Sequence, residues 1–230
     1  MKKIALTAAL LLLFTCISPA ASAETTVDTI LTAGTTQAFT DEAVPEEDVQ
    51  TILRAGLASE SAINQQPWFF IAVTDKAVME ELSASGGMPP MGGAMPGVPK
   101  GDAPNGDVPK DMPAPAMTGG AKAALGDSPL AILVYKDGSS KSPNPDFDCG
   151  LAVQNMYIAA VSLGYGAKVI SSPTMTLNGE NHDQICEELG VDPSLTAVAV
   201  LLVGKPDESV EGVTGATTRA DLDSKVIIKD

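Results

Sequence analysis

Apolar residues recur along the chain with helical spacing in some stretches and as continuous runs in others. Over residues 46–58 they form one stripe of helical period, and Glu46, Glu47 and Asp48 favour the positive end of such a helix. The apolar run over residues 197–203 suits a strand at the centre of a sheet. By the same patterns, helices are predicted over residues 46–58, 75–82, 147–163 and 183–189, and strands over residues 69–74, 130–135, 167–170 and 197–203.

The helix predicted over residues 147–163 has apolar residues on nearly all of its faces, which predicts burial on all sides. Asp146 or Asp148 is expected to cap its start, and Gly164 to end it. Trp68 opens an apolar strand, which favours a place in the core over a role as a stacking platform. The alternation of helices and strands predicts a layered α/β or α+β domain.

The first 23 residues have the pattern of a targeting signal rather than of a folded element. Lys2 and Lys3 precede an apolar run too short to span a bilayer, and a small-x-small sequence follows at residues 21–23. We therefore expect a signal peptide over residues 1–23 and a mature chain that is secreted or held in the cell envelope. Cys16 raises the alternative of a lipid anchor, but the residue before it fits that cleavage poorly.

The amino-acid composition changes over residues 85–126, which contain 10 glycines, 8 prolines and 5 methionines. Such a segment buries too little surface to offset its ordering entropy, so we expect a flexible insertion. Its methionines could bind a soft ion such as Cu(I), but no Cys or His accompanies them, which favours a plain low-complexity loop.

The chain is strongly acidic, with 14 basic and 29 acidic side chains and a formal charge of −15. This argues against nucleic acid as a partner, because no basic face is available to release counterions. One histidine and three cysteines do not supply a metal centre. We expect Cys149 and Cys186 to be buried free thiols rather than a redox pair. His182 is expected at the surface of a helix start, since a lone histidine without Cys or Ser beside it makes no triad.

Two stretches place polar residues at the ends of predicted elements. The sequence SAINQQPW, over residues 61–68, leads into a strand. The sequence DCGLAVQNM begins at Asp148 and leads to LGYG at residues 163–166 and then to SSP at residues 171–173. In this order and spacing, the stretches resemble the nitroreductase family of FMN oxidoreductases over most of the chain outside residues 85–126.

The resemblance implies an α+β fold over residues 24–230, a three-layer sandwich around a central mixed sheet. It also implies an intertwined homodimer with FMN in each of two clefts between the subunits. By the same resemblance, Ser61 and Asn64 bind the cofactor, and Asn64 hydrogen-bonds the flavin ring or the ribityl chain. Ser171 and Ser172 lie near flavin N5. A serine amide donor there would stabilise the reduced, anionic ring. The alternative is that these are ordinary turn and loop residues.

The segment expected to hold the FMN phosphate departs from the family. Where the family carries an Arg-x-Ser-x-Arg-like stretch, this chain reads GTTQAF over residues 34–39, without a cation. Thr35 and Gln37 remain there as cofactor-binding candidates. A free FMN dianion would therefore meet an acidic protein that lacks the family's N-terminal phosphate clamp.

A third stretch, EGVTGAT over residues 211–217, resembles the flavinylation sequence recognised by an extracytoplasmic flavin transferase. The resemblance implies that the hydroxyl of Thr217 is esterified to the FMN phosphate, with Glu211 in place of the usual Asp. Arg219 lies where a C-terminal basic residue touches the phosphate in the family. A phosphodiester carries one negative charge and needs fewer cations, in keeping with the missing arginines. The alternative is a glycine-containing turn without this chemistry.

These observations predict an extracytoplasmic FMN-dependent oxidoreductase that transfers two electrons to a small-molecule nitro, quinone or ene-type acceptor. The donor is expected to be a redox partner or a reduced nicotinamide, and no side chain need act as nucleophile. Two alternatives remain open. One is a flavin electron carrier without its own substrate. The other is a flavin-free binding protein that keeps the fold and uses the methionine-rich segment for copper.

Overall fold

The eight helices and strands that the sequence patterns predict occur in the predicted order in the described part of the computed structural model, together with five short α-helices and strands that were not predicted. The structure describes residues 26–84, 125–215 and 219–229. The α-helices are α1 (Thr26–Thr32), α2 (Glu46–Leu57), α3 (Lys76–Ala84), α4 (Pro145–Ser162), α5 (Thr174–Leu177), α6 (His182–Leu189) and α7 (Leu222–Lys225). The strands are β1 (Thr35–Thr36), β2 (Trp68–Val73), β3 (Leu130–Asp137), β4 (Gly166–Ile170), β5 (Leu195–Gly204) and β6 (Thr214–Gly215).

Within the described residues, six strands form one sheet in the order β2-β3-β5-β4-β1-β6. Strand β1 pairs with β4 in parallel, and the other pairings between these strands are antiparallel. The sheet is therefore mixed, as expected. Strand β5 lies between β3 and β4, and its residues from Val200 to Val203 are fully buried, which confirms the predicted central strand.

Helices cover both faces of this sheet. Helices α2 and α4 pack on one face, around core residues that include Ile52 and Met156. Helices α3, α5 and α6 pack on the other face, around residues that include Met79 and Ile185. Alternate residues of β3 supply the two cores, because successive side chains of a strand point to opposite faces. The result is the predicted three-layer α+β sandwich.

Two glycines allow these layers to approach closely. A Cβ on Gly56 of α2 would lie 2.8 Å from Cγ of Met156 on α4. A Cβ on Gly166, the first residue of β4, would overlap the side chain of Thr36 on β1. Because real Cβ atoms do not come this close to other heavy atoms, a larger residue at either position would displace the side chain of Met156 or Thr36.

The start of α4 differs from the prediction. Asn144 caps the helix by accepting a hydrogen bond from the Phe147 amide at 3.2 Å, whereas Asp146 and Asp148 lie inside the first turn. Asp146 is drawn outward to the ammonium of Lys136. The predicted capping role of these two aspartates is therefore wrong.

Helix α4 is also not buried on all sides of the single chain. Phe147 is 61% exposed, and Gln154 and Asn155 are exposed on the same helix. The sheet and α2 cover only one side of α4, so its remaining apolar surface faces outward.

Several predicted features fall at or beyond the limits of the described residues. Leu125 and Gly126, which the prediction assigns to the flexible segment, belong to a short 3-10 turn, and Leu125 is buried in the core. Residues 1–23 and 85–124 lie outside the described residues.

Cys149 and Cys186 are free and buried, as predicted. No helix in the described ranges is long and apolar enough to cross a membrane.

Candidate functional site

The N-terminal and C-terminal candidate residues meet at one edge of the sheet. Thr35 of β1 pairs with Gly215 of β6, and the Gln37 amide donates to the Val213 carbonyl at 2.7 Å. Thr35 and Arg219 both line a cavity of about 220 Å3 on the α4 side of the sheet. The structure therefore brings Thr35, Gln37 and Arg219 into one region although they lie far apart in the sequence.

Helix α4 supplies polar residues to this cavity that the sequence analysis did not single out. Gln154 and Tyr157 line it, next to Val169 of β4. The Tyr157 hydroxyl donates to the Gly34 carbonyl at 2.8 Å and so ties α4 to the segment before β1. Burial raises the pKa of Tyr157, and the nearby Arg219 guanidinium opposes that rise. Gln154 lies within the DCGLAVQNM stretch, but only the fold shows that Gln154 and Tyr157 reach this cavity.

The loop that Ser61 begins has an unusual backbone. Ile63, Asn64 and Gln66 have φ values of 48°, 56° and 47°, in the left-handed region that non-glycine residues rarely adopt. The Ser61 hydroxyl accepts from the Gln66 amide at 2.9 Å. The Asn64 side-chain oxygen accepts from the Gln66 side-chain amide at 3.1 Å. Asn64 is exposed, so its side chain is open to a ligand or to another chain.

A buried carboxylate supports this loop. Asp148 of α4 is 2% exposed, and its Oδ1 accepts from the Ala62 amide at 3.1 Å. Its Oδ2 accepts from the Ser142 hydroxyl at 2.6 Å. Burial, together with the nearby carboxylates of Asp146 and Asp148, raises the pKa of the Cys149 thiol to about 12, so that this cysteine is not a thiolate at neutral pH. The sequence pattern predicts only a capping role for Asp148.

Ser171 and Ser172 directly follow β4 and are exposed. The Ser171 carbonyl accepts from the amide and the hydroxyl of Thr174, and so begins α5. Val169 lines the 220 Å3 cavity, and Ser171 comes two residues later, about 7 Å further along an extended chain. The two serines thus lie just beyond the cavity that Thr35 and Arg219 line.

The strands next to Asn64 and Ser171 meet at one end of the sheet. Each neighbouring pair in the series β2-β3-β5-β4 is antiparallel, so the start of β2 and the end of β4 lie at the same end. Three strand spacings, about 14 Å, separate these two strand ends. Asn64 lies in the loop before β2, and Ser171 directly follows β4.

Thr217 lies outside the described residues. Gly215 and Arg219 are the described residues two positions before and after it. Gly215 pairs with Thr35, and Arg219 lines the same cavity as Thr35. The chain on both sides of position 217 is therefore at the cavity.

The histidine has contacts that the sequence analysis missed. Nδ1 of His182 lies 2.6 Å from the Leu177 carbonyl oxygen, and Nε2 lies 2.9 Å from that of Pro193. Contrary to expectation, a cysteine lies beside it: Sγ of Cys186 is 3.6 Å from Nε2. The spacing of four residues on one helix could have revealed this pair. Both ring nitrogens face carbonyls and burial raises the pKa of the Cys186 thiol, so the pair is not arranged as a base and its nucleophile.

A larger cavity of about 700 Å3 lies at the opposite end of the sheet, between the starts of α2 and α3. Asp41, Glu46 and Lys76 are among its lining residues, and Lys76 pairs with Asp41 at 3.0 Å. None of the predicted site residues lines it. Across the described ranges, no three His, Cys, Asp or Glu side chains come together as a metal site.

The dimensions and charge of the smaller cavity fit one end of FMN. Cofactor sites usually measure about 300–1,000 Å3, so a cavity of about 220 Å3 takes only part of such a molecule. Its guanidinium, hydroxyls and amide suit a phosphate and a ribityl chain. A flavin ring would then extend past Val169 toward Ser171.

Known proteins share this sequence pattern and this fold. The family model described as "Nitroreductase family" matches residues 31–205. A protein of Methanothermobacter thermautotrophicus, named as an NADH dehydrogenase/NAD(P)H nitroreductase, is 31% identical over 61% of this chain and 58% of its own length. The match thus spans less than two thirds of that relative. A protein of the same name from Archaeoglobus fulgidus is 25% identical over 78% of this chain and 84% of its own length.

Solved structures have the same fold at low sequence identity. A nitroreductase with bound FMN from Bacteroides fragilis is 20% identical and has a TM-score of 0.65, covering 89% of this chain and 99% of its own. A nitroreductase with bound FMN from Desulfitobacterium hafniense is 20% identical and has a TM-score of 0.67, covering 89% and 98%. The protein belongs to the nitroreductase family. This confirms the family that the motifs indicated.

Proposed function

We propose that this protein is an extracytoplasmic oxidoreductase that uses FMN, with the phosphate end of the cofactor at Thr35 and Arg219. The observation that carries the proposal is that Thr35, which pairs with Gly215, and Arg219 line one polar cavity. The predicted signal peptide over residues 1–23 supports the location outside the cytoplasm. The FMN-bound relatives support the choice of cofactor.

The phosphate is esterified to Thr217 in this proposal. Arg219 is the cation that lines the cavity among the described residues, and a dianion there would be poorly neutralised. An ester lowers the charge by one, and a tether replaces affinity with effective concentration. Because two residues of extended chain reach about 7 Å at most, position 217 is within reach of the place where Gly215 meets Thr35.

The protein's own groups would act by binding and electrostatics. FMN, when bound, supplies two-electron chemistry at its ring. The Arg219 guanidinium neutralises the phosphate, while Thr35, Gln154 and Tyr157 offer hydrogen bonds along the cavity. Backbone amides at Ser171 and Ser172 would donate toward the ring and favour its reduced, anionic form. No side chain need become covalently bonded to the electron acceptor.

A second copy of the chain would complete the site. Since three strand spacings separate β2, which follows Asn64, from β4, which precedes Ser171, Asn64 of one subunit would reach the flavin bound by the other. The apolar surface that one chain leaves open supports this homodimer. It includes Phe147 of α4 at 61% exposure and Ile227 and Ile228 near the C-terminus at 84% and 82%.

The proposed acceptors are small nitro, quinone or ene-type molecules, and the proposed donor is a redox partner or a reduced nicotinamide. The names of the two archaeal relatives support a nicotinamide donor. Scarcity of nicotinamides outside the cell supports a redox partner instead. Steady-state turnover with a panel of donors and acceptors distinguishes an enzyme from a carrier: reduction without acceptor selectivity would support an electron carrier.

The covalent bond is tested by the intact mass of the protein, produced with and without a flavin transferase. We expect an FMN adduct only with the transferase, lost in Thr217→Ala and kept in Thr218→Ala. Thr218 is a matched control because it is the neighbouring threonine and lies outside the seven-residue motif. An adduct that survives Thr217→Ala, or an unmodified mass under both conditions, would contradict the proposed attachment. A colourless protein after co-production would favour the flavin-free alternative.

A further inference from the structure

The loop from Ser61 to Gln66 is held in a conformation that it would not adopt by itself. Ile63 is β-branched and has a φ of 48°, where its side chain crowds the backbone. Asn64 and Gln66 share this left-handed backbone. Ile63 is also 74% exposed, so burial of its side chain does not compensate for the strain. Strain of this kind persists only where surrounding contacts impose it.

Asp148 makes a buried contact of this kind. Both of its oxygens are used, one by the Ala62 amide and one by the Ser142 hydroxyl, and the residue is 2% exposed. Ser142 is itself held, because its hydroxyl oxygen accepts from the Asn144 amide at 3.2 Å. Further along the loop, the Lys141 amide donates to the Gln65 side-chain oxygen at 3.1 Å.

The geometry calls for a carboxylate at position 148. An ionised carboxylate only accepts hydrogen bonds, and here both of its oxygens face donors. The position in the first turn of α4 adds the favourable end of the helix dipole. An asparagine of the same shape would keep an oxygen for the Ala62 amide and turn its N–H₂ to the Ser142 hydroxyl. That hydroxyl would then lack the acceptor to which it donates. Burying a charge costs free energy when the chain folds. This indicates that the Asp148 carboxylate at the strained loop does more than fill space.

We propose that Asp148 is a positioning residue, which fixes the Ser61–Gln66 loop so that Asn64 is presented to the flavin. The proposal rests on the proposed function, because it assumes that Asn64 contacts FMN. Asp148 touches neither the cofactor nor the reacting atoms. It acts through the Ala62 amide, two residues before Asn64.

The test compares four proteins produced without a flavin transferase, so that FMN is added as a free ligand: the wild type, Asp148→Asn, Asp146→Asn and Ile185→Val. Asp146 is a matched control, since it lies in the same first turn but pairs with Lys136 instead of the loop. Ile185→Val lowers stability from the opposite core. The measurements are the FMN dissociation constant, the melting temperature, and hydrogen exchange of the loop without FMN.

We expect Asp148→Asn to weaken FMN binding about tenfold and to speed hydrogen exchange of the loop. Asp146→Asn and Ile185→Val should stay within about twofold of the wild type in FMN binding. If Asp148→Asn binds FMN as Asp146→Asn does, or if Ile185→Val weakens binding equally at a matched loss of melting temperature, the positioning role is overturned and the proposed function stands. If the folded wild type carries no FMN even after production with the flavin transferase, the proposed function is overturned and this role with it.

Discussion

Asp148 and His182 each join separate segments of the chain, one in each helical layer. Asp148 holds the loop before β2 from the α2 and α4 layer. His182 holds the Leu177 and Pro193 carbonyls together in the α3, α5 and α6 layer. Asp148 is 2% exposed, whereas His182 is half-buried. We call Asp148 and His182 clamps, because each holds two segments by hydrogen bonds. They differ in the backbone that they hold.

The backbones that these clamps hold are different in strain. The Asp148 loop contains three non-glycine residues with positive φ, whereas the segment next to α6 has its positive φ at Gly190. A glycine at the end of a helix adopts this conformation without crowding. His182 therefore joins segments of relaxed backbone. Asp148 instead maintains a loop whose backbone costs free energy and which lies at the candidate site.

The largest expected difference between the clamps is in stability. Asp148→Ala should lower the free energy of unfolding by about 2–4 kcal/mol, because it leaves the Ala62 amide and the Ser142 hydroxyl without their acceptor in a buried place. His182→Ala should cost about 1–2 kcal/mol, because water can replace part of its contacts. Chemical denaturation measures both values. Equal losses would remove the distinction between the two clamps.

The contrast in backbone strain can be tested at two positions of similar φ. Ile63→Gly should raise the free energy of unfolding or leave it unchanged, because up to about 1 kcal/mol of crowding is relieved against a gain in unfolded-state entropy. Gly190→Ala should lower it by about 1 kcal/mol, because a Cβ is added at a φ of 66°. Thermal unfolding of both variants measures the difference. A clear loss of stability in Ile63→Gly would show that the loop is not strained.

The smallest expected effect is a pH dependence that belongs to His182 alone. The Leu177 carbonyl, and then that of Pro193 and the neighbouring Asp183, raise the pKa of His182 against the opposing effect of burial. A raised pKa in the folded state gives stability that is fully present below the unfolded value of about 6.5 and is lost as the pH rises through the folded value. Compared with His182→Gln, the wild type should therefore lose stability as the pH rises from 6 toward 8.

The relevant measurement is the difference in free energy of unfolding between the wild type and His182→Gln across this pH range. The opposite slope, with the wild type gaining relative stability as the pH rises, would contradict a raised pKa of His182 in the folded state. Asp146→Asn serves as a control far from His182, and it should leave the slope unchanged.

Parts of the candidate site could be identified from the sequence, and others could not. The motifs around Asn64 and Ser171 were recognisable because they are short and directly flank predicted strands. The roles of Gln154 and Tyr157 were not recognisable, because they depend on which side of α4 faces Thr35 and Arg219. Asp148 was assigned to the wrong task, since a cap is a local contact whereas its partner Ala62 lies 86 residues away.

By itself the sequence determined the order of helices and strands, the central position of β5, the burial of Trp68 and of both described cysteines, and the family. Each of these depends on the spacing of apolar residues or on contiguous motifs, which neighbours along the chain encode. The tertiary structure alone decided that Asn144 rather than an aspartate caps α4, that Asp148 supports a strained loop, and that Thr35 meets Gly215 and Arg219. These contacts join residues far apart in the sequence, so their energies exist only once the layers have packed.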